Sequence, residues 1–283
     1  MLPAPRINNA LTIDVEDYFQ VSAFAGHIDR AEWDSLPCRV ERNVDAILGI
    51  LKEADAHATW FTLGWVAERY PAIVRRIVDE GHELASHGYD HRRVTDLTPA
   101  QFQADVTRAK RTLEDVGGVE VNGYRAPSFS IAGGNLWALA SLREAGYRYS
   151  SSIYPVRHDH YGMPEAPRFP FYPHGDDGVL ELPVTTVNLF NRNWPSGGGG
   201  YFRLLPYGVS RWCMTRVNTL DRQPCIFYFH PWEIDPGQPR QRGIGMKTRF
   251  RHYVNLGVME QRIRRLVRDF RWDRIDRVFS ETS

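Results

Sequence analysis

The chain has 283 residues, and its 35 lysines and arginines against 34 aspartates and glutamates leave a net charge of +1. A balance this even excludes a global field for nucleic acid or an anionic membrane, and no stretch approaches the roughly 18 apolar residues of a membrane-spanning segment. With 42% hydrophobic residues, the length suits one α/β domain that buries a substantial core. Cys38, Cys213 and Cys225 are odd in number and widely spaced, as in reduced thiols rather than a disulfide framework. The N-terminus lacks a basic region followed by an apolar run. A cytoplasmic protein is expected.

In chain order, Asn9–Val15 is an apolar run ending in acids and reads as a first strand. Arg39–Glu53 places Val40, Val44, Ile47, Leu48 and Leu51 at helical spacing. His57–Leu63 is a second strand, Trp65–Glu80 a helix that restarts at Pro71, and Glu83–Ser86 a third strand. Thr98, Pro99 and Gln101 open a helix running to about Val116. Gly123–Ala126 leads into Pro127, Leu136–Glu144 is helical with Gly146 stopping it, and Tyr147–Ile153 is a strand. Residues 155–177 form a long excursion, Val179–Val187 a strand, and residues 190–202 a second excursion containing the glycine run 197–200. Pro206–Leu220 reads as helix, Cys225–Phe229 as strand, 247–271 as one long amphipathic helix, and Ile275–Phe279 as a final strand. Alternating strands and helices predict a parallel sheet, and their count suits a closed barrel of about seven or eight βα units. With no linker, residues 1–283 are expected to form a single domain.

Four clusters fall at predicted strand ends, where such barrels carry their chemistry. Asp14, Glu16 and Asp17 crowd three carboxylates into four positions, which suits a cation and a general base, or simply the acidic start of a helix. His87 and His91, four apart across Gly88, can share a face and so one metal ion. Arg125, stiffened by Pro127, can hold a carboxylate bidentately; an ordinary surface arginine is the alternative. His230 leaves an apolar aromatic strand, as a tunable proton carrier or as a satisfied core histidine.

These motifs, with Ala58–Gly64 and 81–91, resemble the polysaccharide deacetylases, the NodB-homology group of family 4 carbohydrate esterases. The resemblance runs from about Leu11 to Phe279, and is closest to the branch associated with exopolysaccharide and exosortase clusters. It implies that Asp14 is the catalytic base, that His87 and His91 bind metal, and that Arg125 orients the base. It further implies that Pro127 and the backbone at Ser128 help bind substrate and oxyanion, and that His230 protonates the leaving amine. The family's second aspartate is absent here, because Val15 stands in its place. Glu16 and Asp17 are the two candidates for the acidic metal ligand.

The implied reaction is metal-dependent removal of N-acetyl groups from amino sugars of an exopolysaccharide or its lipid-linked precursor. The expected cofactor is a divalent metal, zinc first, with cobalt, nickel or manganese as alternatives. Trp194, Trp232, Tyr161 and Tyr201 are candidates to stack on sugar rings, and Arg157, His158, Asp159 and Arg192 to bond hydroxyls. The expected partner is an N-acetylated saccharide, with neither nucleic acid nor an integral membrane segment. Two other readings stand beside this one: metal-free hydrolysis of a cyclic amide, as in allantoinase-like relatives, and glycan binding without catalysis.

Overall fold

The computed structural model describes residues 7–158, 162–175 and 178–280. Its central strand, β1 (Asn8–Val15), is buried along all but its first residue and is flanked by parallel strands on both sides. Burial on both faces explains why it reads as an apolar run rather than an alternation. The chain continues through α1 (Val40–Glu53), β2 (Thr59–Thr62), α2 (Gly64–Arg69), α3 (Pro71–Asp79), β3 (Glu83–Ser86), α4 (Pro99–Gly117), β4 (Gly123–Tyr124), α5 (Trp137–Glu144), β5 (Tyr149–Ser150) and β6 (Leu180–Glu181). There follow the hairpin β7 (Thr186–Leu189) and β8 (Arg192–Pro195), then α6 (Gly199–Leu204), α7 (Tyr207–Arg216), β9 (Ile226–Phe229), α8 (Met246–Tyr253), α9 (Leu256–Asp269), β10 (Arg271–Asp273) and α10 (Ile275–Val278).

The parallel sheet runs β6-β5-β4-β3-β2-β1-β9, with β10 beside the first residues of β1. Between β6 and β9 the wall closes irregularly. Ile226 N donates to Thr185 Oγ1 at 2.6 Å and Tyr228 N to Gly197 O at 2.8 Å. The fold is a distorted (β/α) barrel built on a parallel half-barrel sheet, as expected. Strands before and after residue 150 join the same sheet.

Local chemistry sets the helix ends. Thr98 and Gln101 form a reciprocal capping box with Pro99 at the first position. The predicted Trp65–Glu80 helix is two helices meeting at Tyr70, because Pro71 offers no amide and disfavours helical geometry before it. Alternation along β1 sends Ile13 and Val15 toward the outer core with Ile47, Leu51, Met259 and Ile263. Ala10 falls in a separate cluster with Phe61, Ala85, Leu180 and Ile226, which Ile275 and Phe279 complete.

Three expectations are corrected. Val179–Val187 is not one strand: β6 ends at Glu181, and from Thr186 the chain pairs antiparallel with β8. The helix over 247–271 breaks after Tyr253, where Asn255 takes φ +55° and α9 begins anew. Ile275–Phe279 is a helical turn, not a strand, and the last strand is β10. Helical spacing brings Ile275 and Phe279 to one face, where both are buried, whereas strand alternation would also have turned exposed Arg277 inward.

Candidate active site

The carboxyl ends of five strands converge on one polar centre. Asp14 lies near the end of β1 and Glu16 just past it, where the chain turns and the Glu16 amide donates to the Asp14 carbonyl at 3.0 Å. β3 delivers His87, β4 Arg125, β5 Ser151 and Ser152, and β9 His230. Arg125 is fully buried, with its guanidinium 4.1 Å from the Phe61 ring centroid. Nη1 donates to Asp14 Oδ1 and to Thr12 Oγ1, each at 2.7 Å. Nε donates to Ser151 O at 3.0 Å and Nη2 to Ser151 Oγ at 2.9 Å. The expected bidentate grip is therefore a single contact. The other donors are spent on β1 and on the turn after β5, fixing the guanidinium plane as well as the charge.

His87 Nδ1 lies 2.8 Å from the Arg125 carbonyl, which leaves Nε2 for other work. Burial holds its imidazole down at about 4, against the pull of the Asp14 and Glu16 carboxylates. The turn to His91 uses Gly88 at φ +77°, and His91 itself takes φ +57°. Such backbone needs outside support. Arg30 supplies some, donating Nε to Asp90 O at 2.9 Å and Nη2 to His91 O at 3.3 Å. Tyr89 supplies more, since its amide donates to Asp105, its hydroxyl bonds Glu68, and Arg108 lies over its ring, while the Gly64 and Trp65 amides donate to the Gly88 and Tyr89 carbonyls.

Glu16, His87 and His91 present ligand atoms within 4.8 Å of one another, all three buried. Glu16 Oε1 accepts from the Trp232 indole at 3.2 Å. Its Oε2 lies 2.8 Å from His91 Nε2 yet forms no geometrically sound hydrogen bond. A buried carboxylate oxygen so placed, facing two imidazoles, fits a divalent cation. Burial opposes its charge, but His91 and His230 outweigh that and hold the carboxyl far below the usual range. Asp17 takes no part. Its side chain accepts from the Tyr18, Arg39 and Val40 amides and the Cys38 thiol, at the start of α1.

His230 Nε2 lies 3.4 Å from Glu16 Oε1 and 3.9 Å from Asp14 Oδ2. Burial disfavours its cation, but Glu16, Glu233 and Asp14 prevail and push it up to about 9. Trp232, expected as a sugar platform, is instead buried between two imidazoles. His230 stacks at 5.2 Å and His252 at 4.3 Å. Burial keeps His252 down at about 3, neutral against Arg203. Pro127 is buried, and Ser128 at φ +56° bonds Ser22 at 2.7 Å through its hydroxyl. Trp194 is half exposed on the β7–β8 hairpin, and Arg157 is exposed. Asp159 and Tyr161 lie outside the described residues. Sequence reasoning gave no role to Glu233, Arg203, Ser151 or Arg30. Only Glu233 had a signal, three positions after His230.

Residues 32–150 match the family described as polysaccharide deacetylase, and residues 151–280 match a domain of unknown function, DUF3473. Residues 32–150 are therefore similar to the polysaccharide deacetylases. That matched segment holds His87, His91 and Arg125, whereas Asp14 and Glu16 precede it and His230 follows it. A peptidoglycan deacetylase of Helicobacter pylori is 30% identical over 40% of this chain and 38% of its own length. A chitooligosaccharide deacetylase of Azorhizobium caulinodans is 34% identical over 29% of this chain and 40% of its own. The chain thus spans well under half of these curated relatives. In fold, a solved Mycobacterium smegmatis structure, provisionally described as a polysaccharide deacetylase, covers 99% of this chain and 91% of its own at TM-score 0.64 and 21% identity. A family 4 carbohydrate esterase pseudoenzyme of Bacillus anthracis covers 98% of this chain and 66% of its own at TM-score 0.50 and 14% identity. Since the fold also houses a pseudoenzyme, activity must be argued from the site.

Proposed function

We propose that the protein is a metal-dependent hydrolase that removes N-acetyl groups from amino sugars, acting on an exopolysaccharide or its lipid-linked precursor. The observation that carries the reading is the convergence of Asp14, Glu16, His87, His91, Arg125 and His230 at one mouth of the barrel. The segment similar to the deacetylases and the relatives named for peptidoglycan and chitooligosaccharide support the substrate class. The three free thiols support a reducing, cytoplasmic setting. The two matched segments act with β1, which precedes both, as one catalytic unit, because none of the three holds the full set of groups.

Glu16, His87 and His91 would hold a divalent cation, zinc in the first instance, and the chemistry it would supply there is Lewis-acid polarisation of the acetyl carbonyl. The remaining chemistry belongs to the chain. Asp14, aimed by Arg125, accepts the proton of the attacking water as its oxygen bonds to the carbonyl carbon. When the C–N bond breaks, its electron pair stays on nitrogen, which takes the proton held at His230 Nε2. Acetate and a free amine are the products. The backbone turn at Ser128 contributes to the oxyanion environment.

The test is acetate release from N-acetylated chitooligosaccharides by zinc-loaded protein, beside Asp14→Asn and His230→Ala. Loss of about 10² or more in rate in both variants is expected. Unchanged rates would sink these roles. Release without any zinc site would favour metal-free amide hydrolysis.

A further inference from the structure

The glycine run 197–200 and the acid three residues after His230 meet in the folded chain. Glu233 Oε1 lies 2.7 Å from His230 Nδ1 and also accepts the His230 backbone amide at 3.2 Å. Its Oε2 accepts from Arg203 Nε at 2.6 Å. Both partners are almost fully buried. Arg203 is itself fixed, donating Nη1 to the carbonyls of His252 and Val254 at 2.9 and 2.8 Å. A buried carboxylate paired with an arginine only accepts hydrogen bonds, so the His230 nitrogen facing it must carry the hydrogen. That leaves Nε2 pointing at Asp14 and Glu16.

The glycines explain why the carboxylate fits. A Cβ on Gly199 would stand 2.6 Å from Glu233 Oε2, and one on Gly198 would stand 2.7 Å from the Tyr228 ring. A Cβ on Gly200 would meet nothing. None of the three has positive φ, so they supply space rather than unusual backbone. Gly199 and Arg203 lie at i and i+4 of α6, on one face, and both address Glu233.

Resting on the deacetylase reading for the acid role of His230, we propose that Glu233, seated on Gly199 and clamped by Arg203, is the positioning carboxylate of His230. It fixes the Nδ1–H form and turns Nε2 into the site. Every member lies within residues 151–280, so the segment of unknown function supplies the proton-donor half of the centre.

The test uses full-length, zinc-loaded, ¹⁵N-histidine-labelled protein. A deshielded, slowly exchanging Nδ1–H resonance, assigned by its loss in His230→Gln, is expected to vanish in Glu233→Gln and to shift or weaken in Gly199→Ala. Gly200→Ala should keep it. On N-acetylated chitooligosaccharide, Glu233→Gln should lower kcat on the order of 10²-fold with KM within about twofold, and Glu233→Asp should recover part. A resonance unmoved in Glu233→Gln, or kcat unmoved there, overturns the proposal. If wild type releases no acetate, the deacetylase reading fails alone, because the resonance still decides this inference.

Discussion

The indole of Trp232 donates to Glu16 Oε1 across 216 positions of sequence, so that only Oε2 of that carboxylate is left toward His87 and His91. The contact joins the end of β9 to the end of β1 and gives the acid its orientation. Trp232→Phe would keep the stack between His230 and His252 while removing the donor. Outer partners of metal ligands typically account for about 10–100-fold in affinity. Calorimetric zinc titration of metal-stripped protein should show that loss, with the fold intact by circular dichroism.

The same titration separates the acids of the first cluster. Glu16→Gln and His87→Ala should each abolish a tight zinc site. Asp17→Asn should keep it, yet lose about 1 kcal/mol of stability, because it caps α1. Zinc binding that followed Asp17 instead would overturn the ligand assignment.

Arg125→Lys tests whether the arginine acts by shape or by charge. A lysine cannot reach Asp14, Thr12 and Ser151 together, and breaking a buried, hydrogen-bonded pair costs about 3–5 kcal/mol when one partner goes unmatched. A fall in kcat/KM on the order of 10² is expected, with a lowered melting temperature. Retention of full activity would mean that charge alone suffices.

Glu83 sets a pH dependence at the opposite end of the barrel. Burial, with Asp276 nearby, pushes its carboxyl up to about 7, although Thr59 and Tyr149 both donate to it. An acid whose folded pKa lies above its unfolded value binds more protons when folded. Its contribution is therefore most favourable below the unfolded pKa near 4.5 and is lost as pH rises toward 7. His82, held down at about 4 chiefly by burial, works the other way, adding stability as pH rises through that range. In chemical denaturation between pH 5 and 7.5, Glu83→Gln should remove the falling component and make stability rise more steeply with pH. A variant curve parallel to wild type would count against it.

Much of the centre was legible because strand ends in a βα barrel are fixed points. Once β1, β3, β4 and β9 are placed, Asp14, His87, Arg125 and His230 must face one another. The capping box at Thr98 and the restart at Pro71 are likewise local matters of hydrogen bonding and ring geometry, and the residues themselves specify them. Tertiary structure decided the rest. Glu16 and Asp17 are adjacent carboxylates of near-equal chemistry, and only the packing of α1 against β1 turns one to the histidines and the other to a helix end. Trp232 offers a flat ring to solvent or to neighbours alike until His252 arrives from α8 to cover it. Glycines 197–200 look like slack in the sequence, yet Gly198 and Gly199 are the space that Tyr228 and Glu233 require. Periodicity reports which face of an element is buried, but a contact between distant segments depends on where their backbones meet, and only the folded chain carries that.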